Sequence, residues 1–356
     1  MIGEDGRPDP GSDPRLPEPL LRALFEGMLK VRILDERMLS LQKQGRIGSY
    51  SAATGQEAGP VGAAAALEPT DPVFPSFREA GVLVYRGIPL ERYVGHCLGN
   101  AGDPFRGRMA PGHLADRDFQ VASWSPCVGT QIPHAVGAAY AARLRGERLV
   151  VAVFLGDGAT SEGDFHAGMN LAGLWRVPVL FLCQNNQWSI SVPVGRQTAS
   201  PSLAVKASAY GIDGMRVDGN DILAVYAAVR QAAENARKGG GPAFLELVTC
   251  RMGRHSPSDD PSRYRDEAQL VAWRGRDPIE RFRGFLRRER IWSEDWEDRF
   301  RERFAAELAE MIRRVEGLPP PPVESLFEDV WRDAPPLLRE QRDECLGPRK
   351  PGAEKG

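Results

Sequence analysis

The stretch that decides the fold runs from Gly156 to Asn186: Gly156-Asp157-Gly158-Ala159-Thr160-Ser161-Glu162-Gly163-Asp164-Phe165-His166, an apolar helical segment, then Val179-Leu180-Phe181-Leu182-Cys183-Gln184-Asn185-Asn186. Ahead of it, Leu149 to Leu155 is a short continuous apolar run rich in β-branched residues, the pattern of a strand buried on both faces of a parallel sheet. Gly156-Asp157-Gly158 therefore falls at a strand's carboxyl end. Ser161 is positioned to cap the helix that follows, with Glu162 and Asp164 in its electropositive first turn and Phe165, Met169, Leu171 and Leu174 as its apolar residues. Val179 to Cys183 reads as a second buried strand. The two strands and the helix make a βαβ unit whose loops bring an acid and two amides to one sheet edge, where open α/β sheets bind ligands.

Oxygen ligands on neighbouring loops suit a hard divalent cation, and glycines at a helix N-terminus let a diphosphate approach the backbone. The chemistry implied is a magnesium-bound diphosphate held through Asp157 and Asn186, which lie 29 positions apart. A lone Gly-Asp-Gly is usually an ordinary turn. The strand-helix-strand spacing to Asn185-Asn186 is what makes the pattern specific.

The 356 residues, 42% of them hydrophobic, suffice for one large or two modest α/β domains, and a net charge of −2 argues against a nucleic-acid surface. No apolar run nears the ~20 residues of a membrane span. The acidic, Pro-rich opening resembles neither a signal nor a transit peptide, so a cytoplasmic protein without a membrane or nucleic-acid partner is expected. Five cysteines without CxxC spacing fit reduced thiols rather than a disulfide framework or a zinc site.

Taken in order, residues 1–19 read as a flexible arm, 20–275 as an α/β domain, 276–346 as a helical C-terminal region with a docking tail, and 347–356 as a disordered end. Apolar residues three and four apart predict a helix from Leu20 to Gln44, stopped at Gly45. Small-residue helices follow at Ala58–Leu67 and Ile132–Leu144, and inside the second His134 reads as a packing residue. Helical stretches are also expected at Val82–Tyr85, Leu90–Leu98, Leu203–Tyr210, Asp221–Lys238, Pro278–Arg290 and Ser293–Val315, and strands at Met215–Val217 and Ala243–Thr249. Arg78, near a helix start, can bind a phosphate bidentately, although a solvated or paired arginine is the commoner case. His255 lies in the polar loop from Arg251 to Arg265, a phosphate donor or proton-transfer group on one reading and a solvated loop residue on the other. Leu326 to Trp331 with Leu337-Leu338 is an apolar tail suited to docking.

With these residues in hand, the chain resembles the alpha subunit of the thiamine diphosphate-dependent decarboxylase component of 2-oxo acid dehydrogenase complexes, from about Leu20 to about Arg342. It is most similar to the branched-chain type through Phe77-Arg78-Glu79-Ala80-Gly81, Thr130-Gln131-Ile132-Pro133, Arg216 to Asp221, the His255-Ser256 loop and the tail Leu326 to Val330. The resemblance implies a thiamine diphosphate-binding fold, with a mostly parallel sheet, helices on both faces and a helical C-terminal extension. It implies that Asp157, Asn186 and the Trp188 carbonyl hold Mg²⁺, and that Arg78 and His255 bind the diphosphate with the main chain of Gly158 and Ala159. Phe77 stands at a cofactor-binding position where many relatives carry a tyrosine. Pro126 and Val128 would hold the aminopyrimidine. His255 would also act catalytically near the reacting carbon, as proton donor or oxyanion stabiliser. Ser125, Pro126, Thr130 and Gln131 match a K⁺-binding loop, interrupted by one extra residue in Cys127-Val128-Gly129. Gln184 replaces an arginine that reaches the diphosphate in branched-chain relatives. Ser256 aligns with a regulatory phosphorylation site of mitochondrial members, with a plain loop hydroxyl as the alternative.

The activity implied is oxidative decarboxylation of a branched-chain 2-oxo acid and reductive acylation of the lipoyl group of a partner acyltransferase. The carboxylate that activates the cofactor would come from a beta subunit in an α₂β₂ heterotetramer, with the two small-residue helices as candidate interface elements. A pyruvate or acetoin dehydrogenase alpha subunit, and a non-catalytic assembly subunit, are the alternatives.

Overall fold

The computed structural model describes residues 1–8, 15–122 and 125–347. Its first long element, α1 (Glu18–Lys43), buries Leu24, Phe25, Met28, Val31, Leu34, Met38 and Leu41, the spacing that sequence periodicity predicts. It ends where Gly45 takes φ +72°, a conformation that side chains with a Cβ resist. Then come α2 (Ala58–Ala66), β1 (Val73–Phe74), α3 (Ala80–Tyr85), α4 (Leu90–Leu98) and α5 (Gln131–Leu144). The central unit is β2 (Val151–Gly156), α6 (Gly163–Trp175) and β3 (Val179–Asn185). A small hairpin, β4 (Trp188–Ser189) with β5 (Val192–Pro193), leads into the one-turn α7 (Val194–Gln197), followed by β6 (Asp213–Asp218), α8 (Ile222–Arg237) and β7 (Ala243–Val248). Helices α9 (Glu267–Arg274), α10 (Pro278–Arg288), α11 (Glu294–Glu316) and α12 (Pro336–Leu346) complete the chain.

The five strands pair in the order β1-β2-β3-β7-β6, every neighbour parallel. Gly156 pairs with Gln184 and Asn185 with Val248, so the carboxyl ends of the three inner strands finish side by side. Strand alternation sorts the side chains. Val151, Val153, Leu155, Phe181 and Cys183 join α5 and α6 in one core. Ala152, Phe154, Leu180, Leu182, Leu245 and Leu247 join residues of α2 and α8 in another. Close approach of α2 to α8 depends on Gly62, whose added Cβ would stand 3.2 Å from the Ile222 carbonyl oxygen. A third, helical core joins α1, α4, α10 and α11, where Phe25, Phe282, Phe285 and Phe300 meet. The C-terminal helices thus share their core with the chain's first helix.

Several expectations are corrected. Residues 1–8 do not hang free: Ile2 is buried, its N–H donates to Asp221 Oδ2 at 2.6 Å, and Arg281 Nε donates to the Gly3 carbonyl at 3.0 Å. Residues 9–14 of the expected arm, and 348–356 of the expected disordered end, lie outside the described residues. Ser161 caps nothing; Asp157–Ser161 winds into a 3₁₀ turn and α6 starts after Glu162. Helix Ala58–Ala66 cannot be an interface element, because Ala58 to Ala64 are buried inside this chain, whereas α5 leaves Gly137 and Leu144 exposed. His134 is exposed on α5 rather than packed. The expected docking tail is not contradicted: Leu326, Val330 and Trp331 are exposed and free to meet a partner chain, while Arg106 and Arg108 bind Glu328 and Asp329. Helix α9 falls where no helix is expected, while α12 lies within the expected helical C-terminal region, on its tail.

Candidate functional site

The aligned strand ends open onto a cleft of about 370 Å³. The residues assigned to the thiamine diphosphate and Mg²⁺ from the sequence all line it: Phe77, Arg78, Pro126, Val128, Asp157, Gly158, Ala159, Asn186, Trp188 and His255; of the expected K⁺ loop, Ser125, Thr130 and Gln131 do not. They arrive from five separate segments: Pro126 and Val128 lie on the loop before α5, and local sequence explains each of the other placements. Asp157 and Gly158 follow β2 in the 3₁₀ turn; Asn186 and Trp188 follow β3 at the start of the hairpin; His255 sits on the loop after β7; Phe77 and Arg78 sit just before α3.

Asp157 is buried, and burial pushes its carboxyl above the usual carboxylate range, opposed by the Gln197 amide, which donates to Oδ2 at 2.7 Å. Asn186 Oδ1 accepts from the Trp188 N–H at 3.2 Å, a turn that holds the amide beside the hairpin. The Trp188 carbonyl accepts from Arg251 at 3.4 Å. Among the described residues no three His, Cys, Asp or Glu side chains cluster as a metal site. A cation between Asp157, Asn186 and the Trp188 carbonyl would therefore draw on one carboxylate, an amide, a main-chain oxygen and the ligand's own phosphates, a donor set that suits Mg²⁺.

The opposite wall is cationic. Arg78 is 4% exposed and donates to the Ala52 carbonyl at 2.8 Å and to the His255 carbonyl at 2.8 Å. Its Nη2 also meets His255 Nδ1 at 3.1 Å, and Arg251 Nη1 meets the same nitrogen at 3.3 Å. Since both guanidinium groups can only donate, Nδ1 must accept, which leaves the ring proton on Nε2. Burial first, then Arg78 and Arg251, lower the imidazole pKa to about 4, so His255 is neutral at physiological pH. Asp259 accepts the His255 N–H at 2.7 Å and the Tyr264 hydroxyl at 2.6 Å, and Tyr264 accepts from Arg251 at 2.9 Å. Arg265 donates to the carbonyls of Arg251 and Met252. The loop that composition marks as mobile is thus closed by its own hydrogen bonds.

Arg251 is the residue that sequence reasoning left without a role. It is 1% exposed, lines the cleft, and its Nε is buried without a partner. Among the described residues neither Arg78 nor Arg251 forms a direct ion pair, and only the longer-range fields of carboxylates such as Glu79 and Asp259 offset them, an arrangement that a bound anion would relieve. In sequence Arg251 is one of several arginines in a polar loop, and nothing local distinguishes the one that turns inward. Ser49, Ser51, Ser76, Tyr93 and His113 also line the cleft and were not singled out.

Gln184 proves not to face the cleft. It follows Leu180 and Leu182 on the α2 side of β3, and its amide donates to Glu79 Oε1 at 2.7 Å. Glu79 Oε2 accepts the N–H groups of Ser76 and Arg78, so the pair holds the segment that presents Phe77 and Arg78. Burial raises the Glu79 carboxyl to about 7. The Ser125–Gln131 segment turns on itself: Ser125 Oγ accepts the Cys127 N–H, Thr130 donates to the Cys127 carbonyl, and Gln131 donates to the Phe154 carbonyl.

A parallel α/β sheet with a cation-lined cleft and oxygen donors at its carboxyl edge fits a protein that binds a diphosphate. The chain belongs to the family described as dehydrogenase E1 component, which matches residues 26–324, and that family depends on thiamine diphosphate. It is 43% identical over 348 residues to 3-methyl-2-oxobutanoate dehydrogenase subunit alpha of Mycobacterium tuberculosis, covering 97% of this chain and 92% of that one. It is 40% identical over 336 residues to the mitochondrial 2-oxoisovalerate dehydrogenase subunit alpha of Homo sapiens, covering 94% and 76%. A mitochondrial 2-oxoisovalerate dehydrogenase subunit alpha 2 of Arabidopsis thaliana is 40% identical over 319 residues, covering 89% and 68%.

Proposed function

We propose that this chain is the alpha subunit of a branched-chain 2-oxo acid dehydrogenase, acting on 3-methyl-2-oxobutanoate and related acids with thiamine diphosphate and Mg²⁺. The observation that carries the proposal is the pairing, across one cleft, of two buried arginines that form no direct ion pair among the described residues and an oxygen-ligand set suited to Mg²⁺. When bound, thiamine diphosphate supplies the nucleophilic carbon for the keto group and the electron sink for loss of CO₂.

This chain's residues would hold the cofactor and orient the substrate oxygen. Asp157, Asn186 and the Trp188 carbonyl bind the metal; Arg78, Arg251 and the main chain of Gly158 and Ala159 bind the diphosphate oxygens; Pro126 and Val128 line the aminopyrimidine end, with Phe77 closing the wall beside His255. A neutral His255 with its proton on Nε2 donates one hydrogen bond without adding charge. That suits it to stabilise negative charge developing on a substrate oxygen by hydrogen bonding. The reacting end needs a second polypeptide, the beta subunit of an α₂β₂ assembly, and a lipoyl acyltransferase takes the acyl group.

Reconstitution with the beta subunit tests the reading. Turnover of 3-methyl-2-oxobutanoate should exceed that of pyruvate and require thiamine diphosphate and Mg²⁺. A preference for pyruvate would refute the branched-chain assignment.

A further inference from the structure

Gln197 lies outside every motif recognised in the sequence, yet it touches the metal-ligand frame from a third direction. Its Nε2 donates to Asp157 Oδ2 at 2.7 Å and to the Val192 carbonyl at 3.2 Å. Both partners are acceptors, so the side chain must present its NH₂ there, and both amide hydrogens are used. Asp157 belongs to the turn after β2, whereas Val192 belongs to the hairpin that begins at Trp188. One amide therefore ties the carboxylate candidate to the element carrying the main-chain candidate. The one-turn helix α7 that presents Gln197 is closed by Thr198 N–H donating to the Val194 carbonyl at 3.3 Å, and Val194 N–H in turn binds the Gln187 carbonyl at 3.1 Å. Asp157 is 2% exposed, so water cannot readily replace a lost donor.

We infer that Gln197 is a positioning residue for the metal site: by fixing Oδ2 it sets the plane of the Asp157 carboxylate relative to Asn186 and Trp188 before any cation arrives. The inference rests on the cofactor reading above. Its chemical consequence is selectivity. Mg²⁺ demands near-ideal octahedral geometry at short distance, while Ca²⁺ accepts irregular, longer coordination. A carboxylate released from its strut should therefore lose Mg²⁺ more than Ca²⁺.

The test uses the protein co-purified with its beta subunit, titrated calorimetrically with Mg²⁺ or Ca²⁺ at saturating thiamine diphosphate. Gln197→Ala and the near-isosteric Gln197→Met remove the donors. Each should weaken Mg²⁺ binding by about 10-fold or more, the range seen when a partner of a metal ligand is removed, and Ca²⁺ binding by clearly less. Mg²⁺ affinity at the wild-type level in both variants, or equal losses for the two cations, overturns the assignment and leaves the cofactor reading intact. Failure of the wild-type assembly to bind Mg²⁺ overturns both.

Discussion

Arg251→Met removes one of the two cations that face His255 Nδ1. Burial, Arg78 and Arg251, in that order, take the imidazole from its ordinary 6.5 to about 4. Arg251 is the smallest of the three lowering causes, so its loss should raise the imidazole pKa from about 4 towards 6.5 without restoring it. The same substitution removes a charge-assisted donor from the wall that would face a diphosphate. Such a bond contributes about 1.5–3 kcal/mol, which is roughly 10- to 100-fold in thiamine diphosphate affinity. Selective ¹⁵N labelling of histidine reports the titration and tautomer, and calorimetry reports the affinity. A His255 that titrates near its ordinary value in the unsubstituted protein, or that carries its proton on Nδ1, would refute the electrostatic argument. Unchanged cofactor affinity in the variant would refute the role of Arg251. The sign for stability follows from the lowered value: the folded state takes up this proton less readily than the unfolded chain. The stability contributed is complete above 6.5 and is lost as pH falls towards 4.

Other perturbations test separate parts of the molecule. Asp157→Ala should abolish Mg²⁺-dependent thiamine diphosphate binding in calorimetry; retained binding would mean the metal is held elsewhere. Glu79, raised to about 7 by burial, contributes stability that is fully present below its unfolded pKa and lost as pH rises through 7, so Glu79→Gln should flatten the dependence of the melting temperature on pH between 5 and 8. An equally steep profile in the variant would show that another group titrates. Asp221→Ala strips the cap of α8, where Oδ1 accepts from Leu223 and Ala224, and unfastens residues 1–3. Urea unfolding should show a loss of at least about 1–2 kcal/mol, and no loss would contradict the docked position of Ile2. Gly173→Ala would place a Cβ 2.0 Å from the Tyr210 carbonyl oxygen, so it should destabilise by about 1–3 kcal/mol in the same assay.

Where a residue's fate depends on neighbours in the chain, the sequence was enough. Unbroken apolar runs at 149–155 and 179–183, short and rich in β-branched residues, read as strands covered on both faces, and the Gly-Asp-Gly and Asn-Asn that end them then share a sheet edge. Periodicity placed α1, α8, α10 and α11 to within a few residues, because a helix buries one side and caps its ends with local groups. Resemblance then joined the pieces of the cleft lining.

What the tertiary structure decided was the direction of side chains whose partners lie far away in sequence. Gln184 turns from the cleft towards Glu79 because strand alternation sends it to the α2 face. Arg251 turns inward, away from a loop of similar arginines, because the Trp188 and Ile190 carbonyls and Tyr264 receive it there. Gln197 reaches Asp157 across 40 residues. Residues 1–8, polar and Pro-rich enough to read as loose chain, are held by Asp221 and Arg281, more than 200 residues onward. None of these has a local signature, since a hydrogen bond between distant segments leaves no period and no spacing in the sequence that makes it.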